Sequence, residues 1–146
     1  MDVDDCCRRL VDEAGDGILI ADADGMIRFW NPGAARIFGF SSREAVGQSL
    51  DIIIPAALRT RHWQGYAESI RTGQTRYGAG DLLAVPALRK DGARISIEFS
   101  IVPFRDATGR ITGIGAIVRD VTRRFEELQK LRKALAESQG PGGAGH

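Results

Sequence analysis

One residue, His62, has the widest range of possible chemistry in this chain. The only other histidine is the last residue, His146, and His62 lies in the stretch RHWQGY beside Trp63 and Tyr66. An imidazole can bind a haem iron, change its charge near neutral pH, or make hydrogen bonds inside a core. The elements that position His62 therefore decide which of these roles it has.

Other patterns of catalysis or metal binding are not found in the sequence. Cys6 and Cys7 are adjacent and are the only cysteines, so a four-cysteine metal site is excluded and a disulfide between them is disfavoured. We expect two thiols on an N-terminal helix, and the alternative is an intermolecular or redox-responsive thiol. The stretch GAGDLL lacks the lysine and the following helix of a phosphate loop, and no nucleophilic serine elbow occurs. We therefore expect a protein that binds rather than catalyses.

Size and composition indicate one folded domain with short extensions. The chain has 146 residues, of which 43% are hydrophobic, and 20 basic against 19 acidic residues give a net charge of +1. That balance gives no reason to expect nucleic acid as a partner. Apolar runs such as 52–54 and 114–118 are far shorter than the roughly 18 residues of a membrane span, and the acidic N-terminus lacks the pattern of a signal sequence. We expect a cytoplasmic protein without a membrane span.

The helix that carries His62 is predicted over residues 56–71. Leu58, His62, Tyr66 and Ile70 follow one another at intervals of four residues, and Trp63 lies beside them. That spacing places them on one stripe of a helix, and an apolar stripe faces the core. The sequence therefore predicts that His62 points inward.

The first part of the chain predicts a helix, a hairpin and a capped helix. Residues 4–14 have helical apolar spacing, and the strands 18–21 and 26–30 flank the turn sequence DADG. Asn31 then precedes a proline, a combination typical of a helix start, and Gly39 is typical of its end.

The second part predicts three strands and a final helix. We expect strands over 77–88, 95–101 and 111–118, because the second alternates apolar and polar residues and turn sequences separate all three. With the hairpin this gives an α+β fold, a five-stranded antiparallel sheet with short helices on one face. A pocket between sheet and helix is a natural ligand site in such a fold.

Four segments are predicted. They are an N-terminal flanking helix at 1–15, a core at 16–121, a charged amphipathic helix at 122–138 and a disordered tail at 139–146. Apolar residues in the last helix step by 4, 3, 3 and 4, at Val121, Phe125, Leu128, Leu131 and Leu135. This coiled-coil-like spacing favours a helix that pairs with its copy in a dimer, and a surface helix folded onto the sheet is the alternative.

Two stretches of the sequence resemble PAS domains of the sensory-box type. They read DGILIADADGMIRFWNPGAARIFGFSSREAVGQSL and LRKDGARISIEFSIVPFRDATGRITGIGAIVRDVTRR, and the resemblance covers about residues 10–122. Its points are the order and spacing of the Asp24-Gly25 hairpin, Asn31, Phe38-Gly39-Phe40, Glu44 with Gly47, Lys90-Asp91-Gly92 and Arg119-Asp120-Val121-Thr122.

The resemblance implies a sensory and dimerisation module of bacterial-type signal transduction. Such a domain senses a small ligand or a partner, often as a homodimer, and passes the change through its C-terminal helix to a histidine kinase or another effector. Asp120 and Thr122 resemble the family's junction motif, in which the two side chains hydrogen-bond at the boundary of strand and helix. Both are also ordinary helix-capping residues, and the two roles are compatible.

The cofactor remains unknown from the sequence. Photochemistry through a flavin-cysteinyl adduct is disfavoured, because NPGAARIFGF has no cysteine where the flavin-binding domains need one. Haem-binding PAS domains place an axial histidine where His62 lies, so a haem-based gas or redox sensor is the alternative function. Glu68 and Asp81, however, stand where those domains have arginines. A packed structural histidine and a contact to another small ligand are the other two roles open to His62.

The residues expected to line the pocket are those whose periodicity turns them between helix and sheet. They are Phe38, Ile53, Leu58, His62, Trp63, Tyr66, Leu82, Phe99, Ile114 and Ile117.

Overall fold

The computed structural model describes residues 1–75, 78 and 80–139. Five helices and five strands follow in the order α1 (Val3–Glu13), β1 (Gly17–Asp22), β2 (Ile27–Trp30), α2 (Pro32–Phe38), α3 (Ser42–Ala45), α4 (Arg59–Thr72), β3 (Leu83–Leu88), β4 (Arg94–Arg105), β5 (Ile111–Asp120) and α5 (Thr122–Ser138). Two short 3₁₀ turns, Leu50–Ile53 and Ala56–Leu58, lead into α4. No helix in this described part is long and apolar enough to cross a membrane.

The five strands form one antiparallel sheet in the order β2-β1-β5-β4-β3. β1 and β5 therefore meet at the centre, although almost the whole chain separates them, and β3 is an edge strand. The edge position explains why β3 contains Pro86, since a proline cannot donate a ladder hydrogen bond. The α+β architecture predicted from the sequence is confirmed.

The core lies on one face of the sheet, called the inner face below. Four strand residues on this face are each at most 5% exposed: Leu19 and Ala21 of β1, Ile97 of β4 and Val118 of β5. Phe38 of α2 packs against them, and its side chain is 0% exposed. Because side chains alternate along a strand, the residues between them form the outer face.

Asn31 holds the N-terminal half of the chain together. Its side chain is 1% exposed, and its Oδ1 accepts hydrogen bonds from the backbone N–H of Ile18 at 2.7 Å and of Ala34 at 2.8 Å. Its Nδ2 donates to the carbonyl oxygens of Val11 at 2.8 Å and Asp16 at 3.1 Å. The helix cap expected from the sequence is therefore confirmed, and it also joins α1 and β1 to α2.

Several boundaries differ from those expected, most of all the start of the third strand. The third strand begins at Leu83 instead of residue 77, because the glycines and the turn at 80 precede it, while residues 76, 77 and 79 lie outside those described. The last helix has the predicted bounds. Of the expected disordered tail at 139–146, Gln139 is described as the C-cap of this helix, and residues 140–146 lie outside the described part. The division of the chain at residues 15 and 121 stays a prediction.

Candidate functional site

α4 presents a cluster of three rings toward the sheet. The rings of His62 and Trp63 lie 4.6 Å apart edge to face, and the ring of Tyr66 is 5.7 Å from His62 and 5.4 Å from Trp63. Trp63 and Tyr66 pack against the core, yet no residue of α4 is fully buried. The predicted stripe therefore faces inward, and it is only half covered.

Two hydrogen bonds fix this cluster to the 3₁₀ turn Leu50–Ile53 and to the last residue of β1. Trp63 donates from Nε1 to Oδ1 of Asp51 at 2.7 Å, and the hydroxyl of Tyr66 donates to the carbonyl oxygen of Asp22 at 2.5 Å. Burial, with the nearby Asp22 and Asp24 carboxylates, raises the pKa of Tyr66 to about 12. α4 is thus tied to the hairpin of β1 and β2.

Gly25 in the hairpin turn makes the close approach of Trp63 possible. Its φ is +80°, in the left-handed region that favours glycine, and a Cβ built on it would lie 2.1 Å from the indole ring. The glycine predicted for the turn therefore has a second role, since it leaves room for the ring cluster.

His62 is the polar residue of this cluster without a hydrogen-bond partner. Its Nδ1 is buried, and it has no partner among the residues that the structure describes. An unpartnered buried polar atom costs about 1–3 kcal/mol. Burial lowers the pKa of His62, and the charge of Asp51 opposes that shift. The imidazole therefore favours its neutral form, and its packing against the two rings agrees with a structural role while its unbonded nitrogen does not.

The inner face is less covered at the start of β3 and the middle of β4. Val85 is 37% exposed although its cross-strand partner Ile97 is 5% exposed. Leu83, Phe99 and Ile101 lie on the same face and are only half-buried. This apolar part of the sheet is open, unlike the part over β1 and β5.

The structure places the predicted pocket residues in three groups. Phe38, Ile53 and Ile114 are buried at 0%, 8% and 9% exposure. The half-buried group comprises Leu58, His62, Trp63, Tyr66 and Phe99.

Leu82 and Ile117 are placed elsewhere, and for these two the expected orientation is corrected. Leu82 precedes β3 and is 69% exposed. Ile117 is 42% exposed on the outer face, because it is three residues from Ile114 on an unbroken strand and must point the opposite way.

The groups around His62 do not fit a haem. An axial histidine normally donates its second ring N–H to an acceptor, and Nδ1 of His62 has none among the described residues. Glu68 accepts from Arg71 at 2.8 Å on the exposed side of α4, and Asp81 accepts from the N–H of Gly78 at 2.8 Å. Neither carboxylate supplies the positive charge that would pair with a propionate of the group. Within the described part, no three His, Cys, Asp or Glu side chains form a metal-binding group either.

The junction between β5 and α5 has a hydrogen-bond network of its own. The N–H and hydroxyl of Thr122 donate to Oδ1 of Asp120 at 2.9 Å and 2.5 Å. The same hydroxyl oxygen accepts from the backbone N–H of Ser96 at 3.0 Å, and the carbonyl of Ser96 accepts from the N–H of Val121 at 2.9 Å. The first residue of α5 is therefore bonded to β4, the strand beside β5 in the sheet.

Sequence reasoning missed Ser96, Asp51 and Asp22. The sequence marks Ser96 only as a polar residue of an alternating strand, because its contact with Thr122 depends on the pairing of β4 with β5. The contacts of Asp51 and Asp22 span 12 and 44 residues of sequence, so no local pattern indicates them.

Beyond the junction, α5 has no buried residue. Its apolar side chains Phe125, Leu128, Leu131 and Leu135 are 44–67% exposed. The helix therefore does not fold back along the sheet, and its apolar stripe is left open.

Three curated relatives carry the names of sensors and kinases. The chain is 28% identical over 130 residues to the sensor protein FixL of Bradyrhizobium diazoefficiens, matching 89% of this chain and 25% of the relative. It is 25% identical over 119 residues to the oxygen sensor protein DosP of Escherichia coli, matching 82% and 14%. It is 30% identical over 134 residues to the methanogenesis regulatory histidine kinase FilI of Methanothrix harundinacea, matching 90% and 14%. The chain spans a quarter or less of each of these relatives.

A solved structure and a family model agree on the fold. The PAS domain of a protein from Colwellia psychrerythraea superposes with a TM-score of 0.72 at 24% identity, over 84% of this chain and 99% of that one. The family model described as PAS fold matches residues 7–121. The chain therefore belongs to the PAS family, and its core is a PAS sensory domain.

Proposed function

We propose that this PAS domain binds a small ligand in a cleft between α4 and the inner face of β3 and β4. The observation that carries the proposal is the incomplete cover of this region. Val85 faces inward and is 37% exposed, and α4, which the proposal places across the cleft, has no buried residue. The apolar lining with one unpartnered polar group, His62, has the composition of small-molecule sites.

The proposed output passes through the Thr122 junction to α5. A shift of β4 in the sheet would move Ser96, and the hydrogen bond from the N–H of Ser96 to Thr122 would pass this movement to the start of α5. The exposed stripe of α5 supports a homodimer, since apolar stripes of this length are covered by a partner in coiled coils. The name of FilI supports a histidine kinase or a similar effector downstream. A cytoplasmic location and a non-catalytic role for this chain belong to the same proposal.

A pair of matched variants tests the ligand site. Val85→Trp would fill the proposed cleft, and Val102→Trp adds the same ring on the outer face, where Val102 is 45% exposed. A panel of neutral heteroaromatic fragments would be screened by thermal shift against the full chain and both variants. We expect hits that survive Val102→Trp and are lost in Val85→Trp. Hits that bind both variants equally well would refute the cleft.

The alternative function is a haem-based gas or redox sensor with His62 as axial ligand. The name of DosP favours it, and the carboxylates of Glu68 and Asp81 oppose it. Hemin added to the purified chain decides between them by absorbance. A sharpened Soret band that shifts in His62→Ala would support the alternative, and a spectrum identical to that of free hemin would exclude it.

A further inference from the structure

The end of α4 and the turn between β4 and β5, residues 106–110, border a second cleft. Its volume is about 320 Å³, with residues 70–73 on one side and residues 108–110 on the other. The ligand site proposed above includes Val85, which pairs with Ile97 on β4, whereas the second cleft lies beyond Arg105 at the end of that strand. At about 3.3 Å per residue, roughly 26 Å of strand separate residue 97 from residue 105. The second cleft is therefore a separate place on the molecule.

Arg105 holds the two walls of this cleft together. Its Nη1 donates to the carbonyl oxygen of Gly73 at 2.5 Å and to that of Gly109 at 3.1 Å. The guanidinium group thus covers a carbonyl at the negative end of α4. Its Nε and Nη2 donate to no acceptor among the described residues, so the group keeps hydrogens for a further partner.

Two more guanidinium groups lie on opposite walls. Arg71 extends from α4, and Arg110 extends from the turn. Arg71 donates one hydrogen bond to Glu68 at 2.8 Å and keeps its other donors. The side chain of Arg110 makes no hydrogen bond or ion pair within the described part of the chain. The cleft is therefore bordered by cations from two elements.

The carboxylates nearby are bonded to other groups. Glu68 accepts from Arg71, and Oδ1 of Asp106 accepts from the hydroxyl of Thr108 and from the N–H groups of residues 108 and 110. The bonds from Thr108 lower the pKa of Asp106, so this carboxyl stays charged. Neither carboxylate lines the cleft. Three guanidinium groups against two carboxylates leave one positive charge in excess.

The neutral donors of the cleft are already used. The hydroxyl of Thr72 donates to a helix carbonyl at 2.8 Å, and that of Thr108 donates to Asp106 at 2.6 Å. The N–H groups of Gly73 and Gly109 donate to backbone carbonyls at 2.9 Å and 3.0 Å. Guanidinium hydrogens are therefore the free donors that the described residues offer here, and they favour an oxyanion over a neutral ligand.

We propose that this cleft binds a phosphate group, either free phosphate or the phosphate of a small ester. Guanidinium groups pair with phosphate oxygens through two hydrogen bonds at once, and a tetrahedral phosphate presents oxygens toward both walls. The bound group joins Arg71 at the end of α4 to Arg110 before β5. Because α4 carries the ring cluster of His62, Trp63 and Tyr66, phosphate would hold that helix against the sheet.

A phosphate titration of the full chain, followed by ¹⁵N NMR, tests the site. Sodium chloride keeps the ionic strength constant, so that screening does not change along the titration. We expect saturable shifts of the Gly73 and Gly109 amides. Arg110→Gln should raise the Kd about fivefold and Arg71→Gln about threefold, since Arg71 also serves Glu68. Shifts that rise linearly without saturation would overturn the proposal.

Arg61→Gln is the matched control. Arg61 is an exposed arginine of the same helix, about 15 Å from Arg71 along the axis, and makes no ion pair within the described residues. It should change the Kd by less than about twofold. Equal weakening in Arg61→Gln and Arg110→Gln would show attraction by overall charge alone and would overturn the site.

Glucose 6-phosphate and sulfate complete the titrations. Tighter binding of the sugar phosphate than of free phosphate would identify an ester as the ligand, and equal binding would identify free phosphate. Sulfate has a similar shape but cannot reach the charge of the phosphate trianion, and it should bind more weakly than the ester. Val85→Trp, which fills the other cleft, should leave the Kd for phosphate unchanged, so failure here and failure of the proposed function are separate results.

Discussion

The hydroxyl of Thr122 is predicted to couple the sheet to α5, and Thr122→Val tests this directly. Valine keeps the shape of threonine but lacks the hydroxyl, so two hydrogen bonds are lost while the packing is retained. One is the bond donated to Asp120, and the other is the bond accepted from the N–H of Ser96.

The expected cost follows from these two bonds. Losing the bond to Asp120 costs about 0.5–1.5 kcal/mol, and leaving the N–H of Ser96 without an acceptor costs about 1–3 kcal/mol when buried. Ser96 and Thr122 are only half-buried, so water can reach them and values in the lower half of each range apply. A total of about 2 kcal/mol corresponds to about a 30-fold rise in local opening.

Native-state hydrogen exchange measures this opening at individual amides. The N–H of Ser96 and that of Phe125, which donates to Val121 in the first turn of α5, should exchange about 30-fold faster in the variant. Amides at the centre of β1 should change much less, because they report on the core.

The β4–β5 turn offers a matched control. Thr108 bonds to Asp106 as Thr122 bonds to Asp120, with 2.9 Å from the N–H and 2.6 Å from the hydroxyl. No strand amide is seen donating to the Thr108 hydroxyl among the described residues, so Thr108→Val removes the local motif without the link to the sheet. Equal exchange at Ser96 and Phe125 in the two variants would refute the coupling.

Three further predictions concern the stability of the fold. Asn31→Ala removes four hydrogen bonds from a site that is 1% exposed, so we expect a loss of about 3–5 kcal/mol in the free energy of unfolding, and a loss below 1 kcal/mol in urea titrations would contradict this. Gly25→Ala and Gly92→Ala both place a side chain at positive φ, but only Gly25 contacts the Trp63 ring. Gly25→Ala should therefore lower the free energy of unfolding by at least about 2 kcal/mol more than Gly92→Ala in the same titrations. Equal losses in the two variants would speak against the contact. Burial lowers the pKa of His62 from 6.5, so the unfolded chain takes up the proton more readily than the folded chain. Stability that is present above pH 6.5 should therefore fall as the pH drops through the folded pKa. His62→Phe should flatten that fall, and an unchanged slope in urea titrations from pH 7.5 to 5 would exclude His62 as its cause.

Much of the fold could be predicted because its signals are local. The cap at Asn31, the left-handed Gly39 at the end of α2 and the bounds of α5 each depend on a few neighbouring residues. The alternation along β4 likewise predicts which of its side chains face inward. These features do not require knowledge of the sheet order.

The surroundings of His62 could not be predicted in the same way. The helical stripe indicates its direction, but the absence of a partner for Nδ1 depends on which side chains of distant elements reach α4. One that does is Asp51, which accepts from Trp63. Ile117 shows a related limit. Because side chains alternate along a strand, the sequence alone shows that Ile117 and Ile114 face opposite sides of the sheet. Which of the two sides is the inner face depends on the strands that pair with β5.

The sequence by itself therefore determined the elements, the PAS resemblance and the inward direction of His62. Only the tertiary structure decided that the inner face is open beside Val85, that Ser96 holds Thr122, and that Nδ1 of His62 has no hydrogen-bond partner among the described residues. The physical reason is the range of the interactions. Caps and periodicity act over one or two turns, whereas β1 meets β5 and Ser96 meets Thr122 only after the whole sheet has assembled.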